Sequence, residues 1–520
     1  MRRYLGLIIL SGVVLSANFW GHSIYLLDEA KNAECAREML ETGNWIVPTF
    51  NYELRTDKPP IHYYFMMLAY SIFGVNAFAA RFFSIVFGVL TVLLIDRFCI
   101  KNYDKRTANF TTLTLLSSIG FIVQFHLAVP DPYLVFFIVT SILAFFKGFQ
   151  NRSDRYYLLS AACMALASLV KGPIGFLLPL AAVVSFLFVN KRASSSSLIQ
   201  NPKAVVVPSL VFLSIAMPWY VAVGFETDWA WIKGFFLEHN VNRFLSPKEG
   251  HGGFFLLILL YFLALLMPLG LFIFPALSEA FNRKKDSFDA LALITIGFTI
   301  LIFSFSATKL PNYVSPAVPF GAILIGRYLA DLSPTRNVLL PIAVSYLVLS
   351  FMLVWGIEKG LSSEIALQPI ADLNALKVFW LIPIGAVIGL IVAWKKLLLG
   401  WLIVNTVSFG LTLQVAFYNI IPEIDKLNPV SQFASNYSEE DKVVAYQIYN
   451  PAFNFYLKNR IPVYIDLGDL DRVLLENNST VVLTRDYHLP ELKVLKLDTL
   501  LIQNNLFDGS TSAVLLKKKK

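Results

Sequence analysis

Long apolar runs, separated by short polar segments, dominate the first 418 residues of the chain. A helix needs about 20 mostly apolar residues to cross the hydrocarbon core of a bilayer, so each run predicts a transmembrane helix. The pattern therefore predicts an α-helical polytopic membrane protein with about thirteen spans, at 4–20, 78–98, 107–126, 131–149, 156–170, 173–190, 204–224, 254–277, 288–306, 312–330, 336–356, 376–394 and 398–418.

Two apolar segments near the N-terminus need separate interpretation. Residues 61–74 are too short to span a bilayer, so they predict an interfacial or re-entrant helix; a further span there would move the C-terminus across the membrane. Arg2 and Arg3 precede the first run, as in a signal peptide, but a small-residue cleavage pattern is missing. Residues 18–20 are typical of an interfacial anchor, which favours an uncleaved first helix with a cytoplasmic N-terminus.

The distribution of basic residues predicts the orientation. Lys and Arg concentrate in short loops on one side of the thirteen helices, whereas the long loops 21–77 and 225–253 on the other side carry many acids. Because basic loops stay in the cytoplasm, we expect an inner-membrane protein whose long loops and C-terminus are periplasmic. The basic loops lie at 101–106, 151–155, 191–203, 282–285, 331–336 and 395–396.

The last 102 residues differ in composition from the rest. Residues 419–520 contain 12 basic and 13 acidic residues, and short strand and helix patterns alternate. Such alternation predicts a small soluble α/β domain after a transmembrane domain at 1–418. The expected strands are 440–446, 461–465 and 480–484, and the expected helices are 451–457 and 469–476. The chain has no glycine-rich phosphate loop, so we expect no nucleotide cofactor.

Composition excludes several classes of protein. Hydrophobic residues make up 56% and charged residues only 15%, whereas soluble domains contain roughly 25% charged residues, so a water-soluble globular enzyme is nearly excluded. The 44 Phe and 22 Tyr exclude a disordered chain. Three widely spaced Cys fit neither a zinc ribbon nor a disulfide framework. The net charge of +8 follows from the basic cytoplasmic loops and requires no nucleic-acid partner.

The first outer loop, 21–77, contains a predicted amphipathic helix. Residues 28–42 include no Gly or Pro, Gly43 follows as a natural C-cap, and an apolar stripe recurs at helical spacing at Ala33, Ala36 and Leu40. We expect this helix to lie on the membrane surface. Asp28 at its start is either a helix cap or a carboxylate that acts in catalysis or ion binding, and the two roles are compatible.

Residues 56–64 end the loop with a second charged motif. Pro59 and Pro60 stiffen the backbone and hold Lys58 in an extended conformation. One interpretation is a proline that starts the helix at 61–74. The other is a lysine held at the membrane surface for a phosphate group, to which it is suited as a point charge.

Residues 28–31 (DEAK) and 57–60 (DKPP), soon after the first membrane helix, resemble the motifs of the polyprenyl-phosphate-sugar-dependent glycosyltransferases. These integral membrane enzymes of the GT-C type include the aminoarabinose transferases of lipid A and the protein O-mannosyltransferases. The resemblance implies one large membrane domain, an α/β domain on the outer side and a lipid-linked sugar donor. This chain departs from the family at Lys31, where Arg is common, at Asp57, where Glu is common, and at residues 55–56, where an aromatic residue often precedes the acid.

The resemblance also implies roles for individual residues. Asp28 and Asp131 correspond to acids that face one catalytic cavity, although Asp131 is equally suited to cap its helix. His239 corresponds to a histidine associated with a metal ion beside the acid of the second motif, here Asp57. Two ligands are too few for a structural zinc site, so any divalent ion is completed by water and substrate. The residues expected to contact substrate or phosphate are Lys31, Lys58, Arg243, Lys309 and Tyr313.

Simpler interpretations exist for several of these residues. The segment 238–244 has the charge spacing of a solvated helix face, Lys309 is placed to snorkel, and Tyr313 is placed in an aromatic belt. Lys171 lies in a similar outer turn, and the sequence predicts phosphate contact there only weakly.

The expected function is transfer of a sugar from a polyprenyl-phosphate donor to lipid A, another glycolipid, a glycan or a protein, with Asp28 as general base and membrane lipids around the chain. The alternatives are a transporter or flippase of a lipid-linked saccharide, and a sensor or scaffold. Transporters keep polar residues near the bilayer midplane and often show repeated halves. Here the polar residues cluster at one interface, which favours the enzyme.

Overall fold

The computed structural model describes residues 2–190, 203–246, 252–283, 287–332, 336–370, 374–434, 442–476, 480–506 and 510–517. Helices dominate. The first twelve α-helices are α1 Arg2–Leu15, α2 Leu27–Thr42, α3 Ile61–Phe73, α4 Ala77–Asn102, α5 Lys105–Ser117, α6 Ile119–Phe125, α7 Asp131–Asn151, α8 Asp154–Lys171, α9 Pro173–Val189, α10 Lys203–Glu226, α11 Ala230–Lys233 and α12 Asn242–Leu245.

The remaining α-helices are α13 Leu257–Leu265, α14 Ile273–Asn282, α15 Phe288–Phe305, α16 Val318–Asp331, α17 Arg336–Ser363, α18 Leu381–Trp394, α19 Leu398–Val415, α20 Ile421–Asp425, α21 Pro429–Ala434, α22 Ala452–Leu457, α23 Leu467–Glu476 and α24 Leu489–Leu492. Segments Gly234–Val241 and Ala416–Ile420 are π-helical. The 3-10 segments are Gly270–Phe272, Pro311–Ala317, Ile365–Ile370, Asn374–Trp380, Asp486–His488 and Lys493–Leu495.

Seven helices in the described part of the chain are long and apolar enough to cross a membrane, or up to nine when each of two bent pairs counts as one span. The bent pairs are α5 with α6, at 62°, and Leu257–Leu265 with Gly270–Asn282, at 118°. Single straight spans were predicted for both, because a sequence window measures apolarity and is insensitive to a change of direction. The polytopic helical fold is confirmed, whereas the count of thirteen stays a prediction.

Several predicted spans are short helices in the structure. α1 and α16 have 14 residues each and α9 has 17, all below the length of about 20 that a perpendicular span needs. α3 has 13 residues, which agrees with the expected interfacial or re-entrant helix at 61–74. Polar ends and proline breaks shorten the hydrogen-bonded helix relative to the apolar run.

An ion-pair cluster joins one end of the helical bundle. Asp289, at the start of α15, is fully buried and accepts hydrogen bonds from Tyr103 Oη at 3.0 Å, from Arg283 Nη1 at 2.9 Å and from Arg327. Asp96 lies on α4, the helix that ends just before Tyr103, and it accepts a hydrogen bond from Arg3 Nε at 3.0 Å. The N-terminus and two predicted cytoplasmic loops are therefore linked to the same helix ends.

The strands are β1 Thr49–Phe50 and β2 Glu53–Leu54 in the first outer loop, then β3 Lys442–Tyr446, β4 Val463–Tyr464, β5 Thr480–Arg485, β6 Asp498–Asn504 and β7 Thr511–Lys517. The last five form a mixed sheet in the C-terminal region, in the order β4-β3-β5-β7-β6. The parallel pairs are β3 with β4 and β3 with β5, while β7 pairs antiparallel with β5 and β6. The three predicted strands and two predicted helices are present, and the hairpin β6–β7 was not foreseen.

The C-terminal region shares a hydrophobic core with the first outer loop. Ala33 and Met39 of α2 and Tyr63 of α3 belong to the same buried cluster as Phe453 and Val481. Asn51, in the turn between β1 and β2, adds three hydrogen bonds: its Nδ2 donates to Ile461 O at 2.9 Å, and its Oδ1 accepts from Ile461 N at 2.8 Å and Asn454 Nδ2 at 3.0 Å. The predicted domain boundary between residues 418 and 419 rests on composition and stays a prediction, because side chains from both sides of it pack in one core.

This shared core corrects the expected surface position of α2. Glu34 and Glu38, on the polar side of the helix, are fully buried, and Arg37 is only 5% exposed. Arg37 binds Glu34 with its Nε and Nη2, both at 2.8 Å. Protein therefore encloses the polar side of α2 as well as its apolar side. The ion pair between Arg37 and Glu34 makes burial of these charged residues possible.

Candidate active site

A cavity of about 610 Å³ lies where the first and second outer loops meet the ends of α7, α9 and α15. One wall is apolar and includes Leu237, Val241 and Phe303. Most of the predicted site residues share this cavity. Its polar lining consists of Asp28, Asp57, Lys58, Asp131, Lys171, His239, Asn240, Ser306, Asn312 and Tyr313.

Asp28 is an exposed residue in the first turn of α2, on the cavity wall. The N-cap of this helix is Leu26, without a side-chain capping bond, so the interpretation of Asp28 as the cap is wrong. A carboxylate in the first turn still interacts favourably with the helix dipole. The Asp28 carboxylate therefore lines the cavity and does not form the N-cap of α2.

Glu29, the next residue, is fixed in the interior by Arg81 of α4. Arg81 Nε and Nη2 lie 2.7 and 2.8 Å from the two carboxylate oxygens, and both side chains are essentially unexposed. Ala128 N also donates to Glu29 Oε1 at 2.8 Å, three residues before Asp131. This pair therefore connects the chain segments that carry Asp28 and Asp131. Sequence reasoning missed Arg81; a lone arginine in an apolar run was the available signal.

Asp57 and Lys58 follow directly after the hairpin β1–β2 and face the cavity. Asp57 Oδ1 lies 3.1 Å from His239 Nε2, and Oδ2 accepts from Arg55 Nε at 3.3 Å. Burial opposes ionisation of Asp57, but the positive charges of Arg55, Lys58, His239 and Lys31 lower its pKa to about 2. The predicted proximity of Asp57 and His239 is thus present in the structure.

Asp131 also lines the cavity and is 2% exposed. Its Oδ1 accepts from Lys171 Nζ at 2.7 Å, and its Oδ2 accepts from Asn312 Nδ2 at 3.3 Å. The N-cap of α7 is Pro130, so the interpretation of Asp131 as the cap is wrong as well. Lys171, which the sequence favoured only weakly, is therefore a site residue, held between Asp131 and the ring of Tyr313 at 5.6 Å.

Four of the residues predicted to contact substrate or phosphate differ in placement. Lys309 is 7% exposed and its Nζ donates to Ser306 O at 2.6 Å, so it does not snorkel to the interface. Neither Lys309 nor Lys31 is among the described residues that line the cavity, although the charge of Lys31 acts on Asp57. The side chain of Arg243 lies outside the described residues. Tyr313 does line the cavity and packs against Phe303 with ring centroids 4.6 Å apart.

His239 belongs to the π-helical segment Gly234–Val241. Such segments are uncommon and frequently occur at functional sites. With Asp57, His239 offers one nitrogen and one carboxylate, which suit a divalent cation. No group of three or more His, Cys, Asp or Glu arranged for a metal occurs in the described ranges, so such an ion would need water or substrate ligands.

Known proteins share these sequence features. The profile of the dolichyl-phosphate-mannose-protein mannosyltransferase family matches residues 28–232. An uncharacterised Aquifex aeolicus (strain VF5) protein is 29% identical over 361 residues, 67% of this chain and 69% of that protein. The undecaprenyl phosphate-alpha-4-amino-4-deoxy-L-arabinose arabinosyl transferase of Enterobacter sp. (strain 638) is 28% identical over 353 residues, which span 64% of this chain and 62% of the transferase.

The fold agrees with a solved structure over nearly the whole chain. The crystal structure of ArnT from Cupriavidus metallidurans bound to undecaprenyl phosphate superimposes with a TM-score of 0.82 at 19% identity, covering 99% of this chain and 97% of that one. At this identity the agreement concerns the fold alone. Together with the matches in sequence, it confirms the predicted resemblance of this chain to the polyprenyl-phosphate-sugar-dependent glycosyltransferases of the GT-C type.

Proposed function

We propose that the protein is a membrane glycosyltransferase that moves a sugar from a polyprenyl-phosphate donor to an acceptor on the outer face of the inner membrane. The observation that carries this proposal is the single cavity in which Asp28, Asp131, Lys58 and Tyr313 meet beside an apolar wall. A lipid-linked donor requires this combination of a cation for phosphate, carboxylates for chemistry and an apolar surface for the prenyl chain.

The donor binds with its phosphate at Lys58. The two prolines after Lys58 restrict the backbone, and Asp57 beside it carries a full negative charge balanced by Arg55 and His239. Lys58 Nζ then stabilises the phosphate as negative charge develops on the leaving oxygen. The apolar lining at Leu237 and Val241 offers the prenyl chain a surface against which to pack.

Asp28 acts on the acceptor. When the acceptor is a hydroxyl group, its oxygen attacks the anomeric carbon, Asp28 takes the hydroxyl proton, and the bond from that carbon to the phosphate oxygen breaks. Polyprenyl phosphate leaves with the bonding electron pair, so no acid catalyst is required. A single displacement inverts the anomeric centre. An acceptor phosphate would need no deprotonation, and Asp28 would then orient it electrostatically.

Asp131 has a supporting place in this scheme. Its carboxylate is bound by Lys171 and Asn312, so both of its oxygens already have protein partners. It can hold Lys171 near the ring of Tyr313, where a sugar hydroxyl or the phosphate would meet the ammonium group. Asp131 and Lys171 together orient the donor.

A divalent cation is an optional component of the proposal. Asp57 and His239 would hold it, and the ion would supply positive charge for the donor phosphate when bound. Metal analysis of purified wild-type protein and of the variants Asp57→Ala and His239→Ala tests this assignment. A bound stoichiometric ion that both variants lose supports it, and an unchanged metal content removes it.

The proposed orientation places the cavity and the C-terminal region outside the cytoplasm, with thirteen spans between the termini. Contacts between Asn51 and the segment 454–461 support a location of the first outer loop and the C-terminal region on the same side of the membrane. The pairing of Arg3 with Asp96, at the far end of α4, supports a location of the N-terminus on the opposite side. A phosphatase fused after residue 430 should be active, and a cytoplasmic reporter there should be inactive. The reverse pattern would contradict both topology and mechanism.

The activity itself is tested with purified enzyme in nanodiscs. Release of polyprenyl phosphate from a polyprenyl-phosphate sugar, in the presence of candidate acceptors, is the expected result. Mass spectrometry of lipid A, surface glycans and glycoproteins from a deletion strain would identify the acceptor. Transport of an intact lipid-linked saccharide without cleavage would instead support a flippase, for which the clustering of polar residues at one end of the bundle offers no support.

A further inference from the structure

Three consecutive residues of the first outer loop contact one stretch of the second outer loop. Arg55 O accepts a hydrogen bond from Trp231 Nε1 at 2.9 Å, and Asp57 Oδ1 lies 3.1 Å from His239 Nε2. Between them, Thr56 packs so closely on Gly234 that a Cβ atom at Gly234 would lie 2.7 Å from Thr56 Oγ1. The two loops therefore interlock at three successive positions, and the last of these is inside the cavity.

The Arg55 guanidinium extends from this interlock towards α2. Its Nη1 donates to Lys31 O, its Nη2 donates to Asn32 Oδ1 at 3.0 Å, and its Nε donates to Asp57 Oδ2 at 3.3 Å. The side chain is only 5% exposed, so these bonds are shielded from water. One residue thus connects the helix that carries Asp28, the loop that carries Asp57 and, through its carbonyl oxygen, the segment that carries His239.

We infer that Arg55 is the positioning residue of this active site and sets the spacing of the two outer loops around the donor phosphate. The inference rests on the proposed glycosyltransferase function. Arg55 does not line the cavity, so it acts through Asp57 and α2 rather than on substrate. A planar guanidinium directs donors at three fixed acceptors at once, whereas a lysine ammonium is a point charge on a flexible stem.

The decisive comparison is between Arg55→Lys and Arg55→Ala. Loss of a group that orients functional residues typically costs about 10–100-fold in activity, so we expect kcat at saturating donor to fall by that factor in both variants. Binding of polyprenyl phosphate should change much less, because Lys58 remains. Free guanidinium should restore part of kcat in Arg55→Ala and none in Arg55→Lys, whose side chain occupies the space. A role in charge alone predicts full activity of Arg55→Lys, and that result would overturn the inference.

A pair of tryptophan variants separates positioning from general loop stability. Trp231 Nε1 donates to Arg55 O, and Trp219 Nε1 makes the equivalent bond to Ile46 O at 3.1 Å, outside the three interlocking positions. The two indole rings pack with centroids 4.8 Å apart, and phenylalanine keeps an aromatic ring in that contact, so each substitution tests the loss of one hydrogen bond. Trp231→Phe should lower kcat while Trp219→Phe leaves it unchanged. Equal effects of the two substitutions would show that any loss of a loop hydrogen bond suffices, and would contradict the inference.

A structural measurement keeps the inference testable if the proposed function fails. Spin labels on cysteines introduced at the exposed positions Glu53 and Glu226 report the distance between the loops, and the three native cysteines are buried. The distance distribution should broaden in Arg55→Ala and stay narrow in Trp219→Phe. An unchanged distribution in Arg55→Ala would refute the positioning role, whereas a wild-type enzyme that releases no polyprenyl phosphate would refute only the proposed function.

Discussion

The two ends of the helical bundle use charged residues in different ways. At the end that carries the N-terminus, Asp289 is fully buried between Arg283, Arg327 and Tyr103. The other end also contains an enclosed pair, Glu29 with Arg81, but it has in addition charged residues at a cavity. Asp28 and Lys58 line that cavity, and the Asp57 side chain is still 26% exposed after binding Arg55 and His239. Charges enclosed by protein partners join helices, whereas charges with one side directed at a cavity are available to a ligand.

The largest effect expected is at the cavity end. Asp28→Asn preserves size and hydrogen bonding but removes the negative charge, so turnover should fall by about 10²–10⁴ if Asp28 is the general base. Stability should change by no more than about 1 kcal/mol, the size of a first-turn dipole interaction, because Leu26 rather than Asp28 is the N-cap of α2. Asp228→Asn, an exposed acid of the second outer loop, is the matched control for purified enzyme. Normal turnover of Asp28→Asn would move the search for the base to Asp131.

The opposite pattern is expected for Asp289. Asp289→Asn leaves Arg283 and Arg327 without their shared carboxylate, which should lower the free energy of unfolding by about 3 kcal/mol, the lower end of the range for a broken buried pair. Turnover per folded molecule should stay near the wild-type value, because the substitution is at the far end of the bundle. Thermal unfolding and activity of the same nanodisc preparation measure both. A catalytic defect without loss of stability would break the contrast between the two ends.

Lys58→Ala should have a smaller effect than Asp28→Asn. A charge-assisted hydrogen bond to phosphate contributes about 1.5–3 kcal/mol, so binding of polyprenyl phosphate should weaken roughly tenfold to a hundredfold. Lys309→Ala is an informative comparison, because Lys309 is buried against Ser306 O and does not line the cavity. Its effect should be on stability. Equal loss of phosphate binding in both variants would argue against a specific contact at Lys58.

The smallest effect concerns pH. The pKa of Asp57 is lowered to about 2, so its contribution to stability is complete above its ordinary pKa of 3.8 and is lost only as pH falls towards 2. His239, 3.1 Å from Asp57, titrates near neutral pH in its ordinary state, so the comparison is made in a His239→Gln background. The difference in unfolding free energy between His239→Gln and the double variant with Asp57→Asn should be constant from pH 5 to 8 and shrink below pH 4. A difference that changes near neutral pH would mean that the surrounding cations do not hold Asp57 ionised.

Much of the site was predictable because its motifs are local in sequence. Asp28, Asp57, Lys58, Asp131, His239 and Tyr313 all line one cavity, as the resemblance implied. What the sequence could not reveal depends on contacts between distant segments. The role of Arg81 depends on its contact with Glu29, which is 52 residues away in the sequence. The role of Asn312 depends on its contact with Asp131, which is 181 residues away.

The fold shows the same limit. Apolar runs predicted helices well, but the 62° and 118° bends depend on backbone geometry at the breaks rather than on composition. The strands β3, β4 and β5 alternate with helices and were predictable, whereas β6 and β7 form a hairpin with no helix between them, and the position of that hairpin is set by pairing with β5. The burial of the polar side of α2 was likewise hidden, since its cover comes from the other end of the chain.

The contact between Asn51 and Ile461 has a consequence for biosynthesis. The two residues are 410 positions apart, and a ribosome adding about 5–20 residues per second needs about 20–80 s to make the intervening chain. In the proposed orientation, the hairpin that precedes Asp57 is outside the cytoplasm throughout that time, without the segment that later covers it. The active site can therefore be assembled only after nearly the whole polypeptide has been translated. A nascent or truncated chain would insert into the membrane but would not turn over its donor.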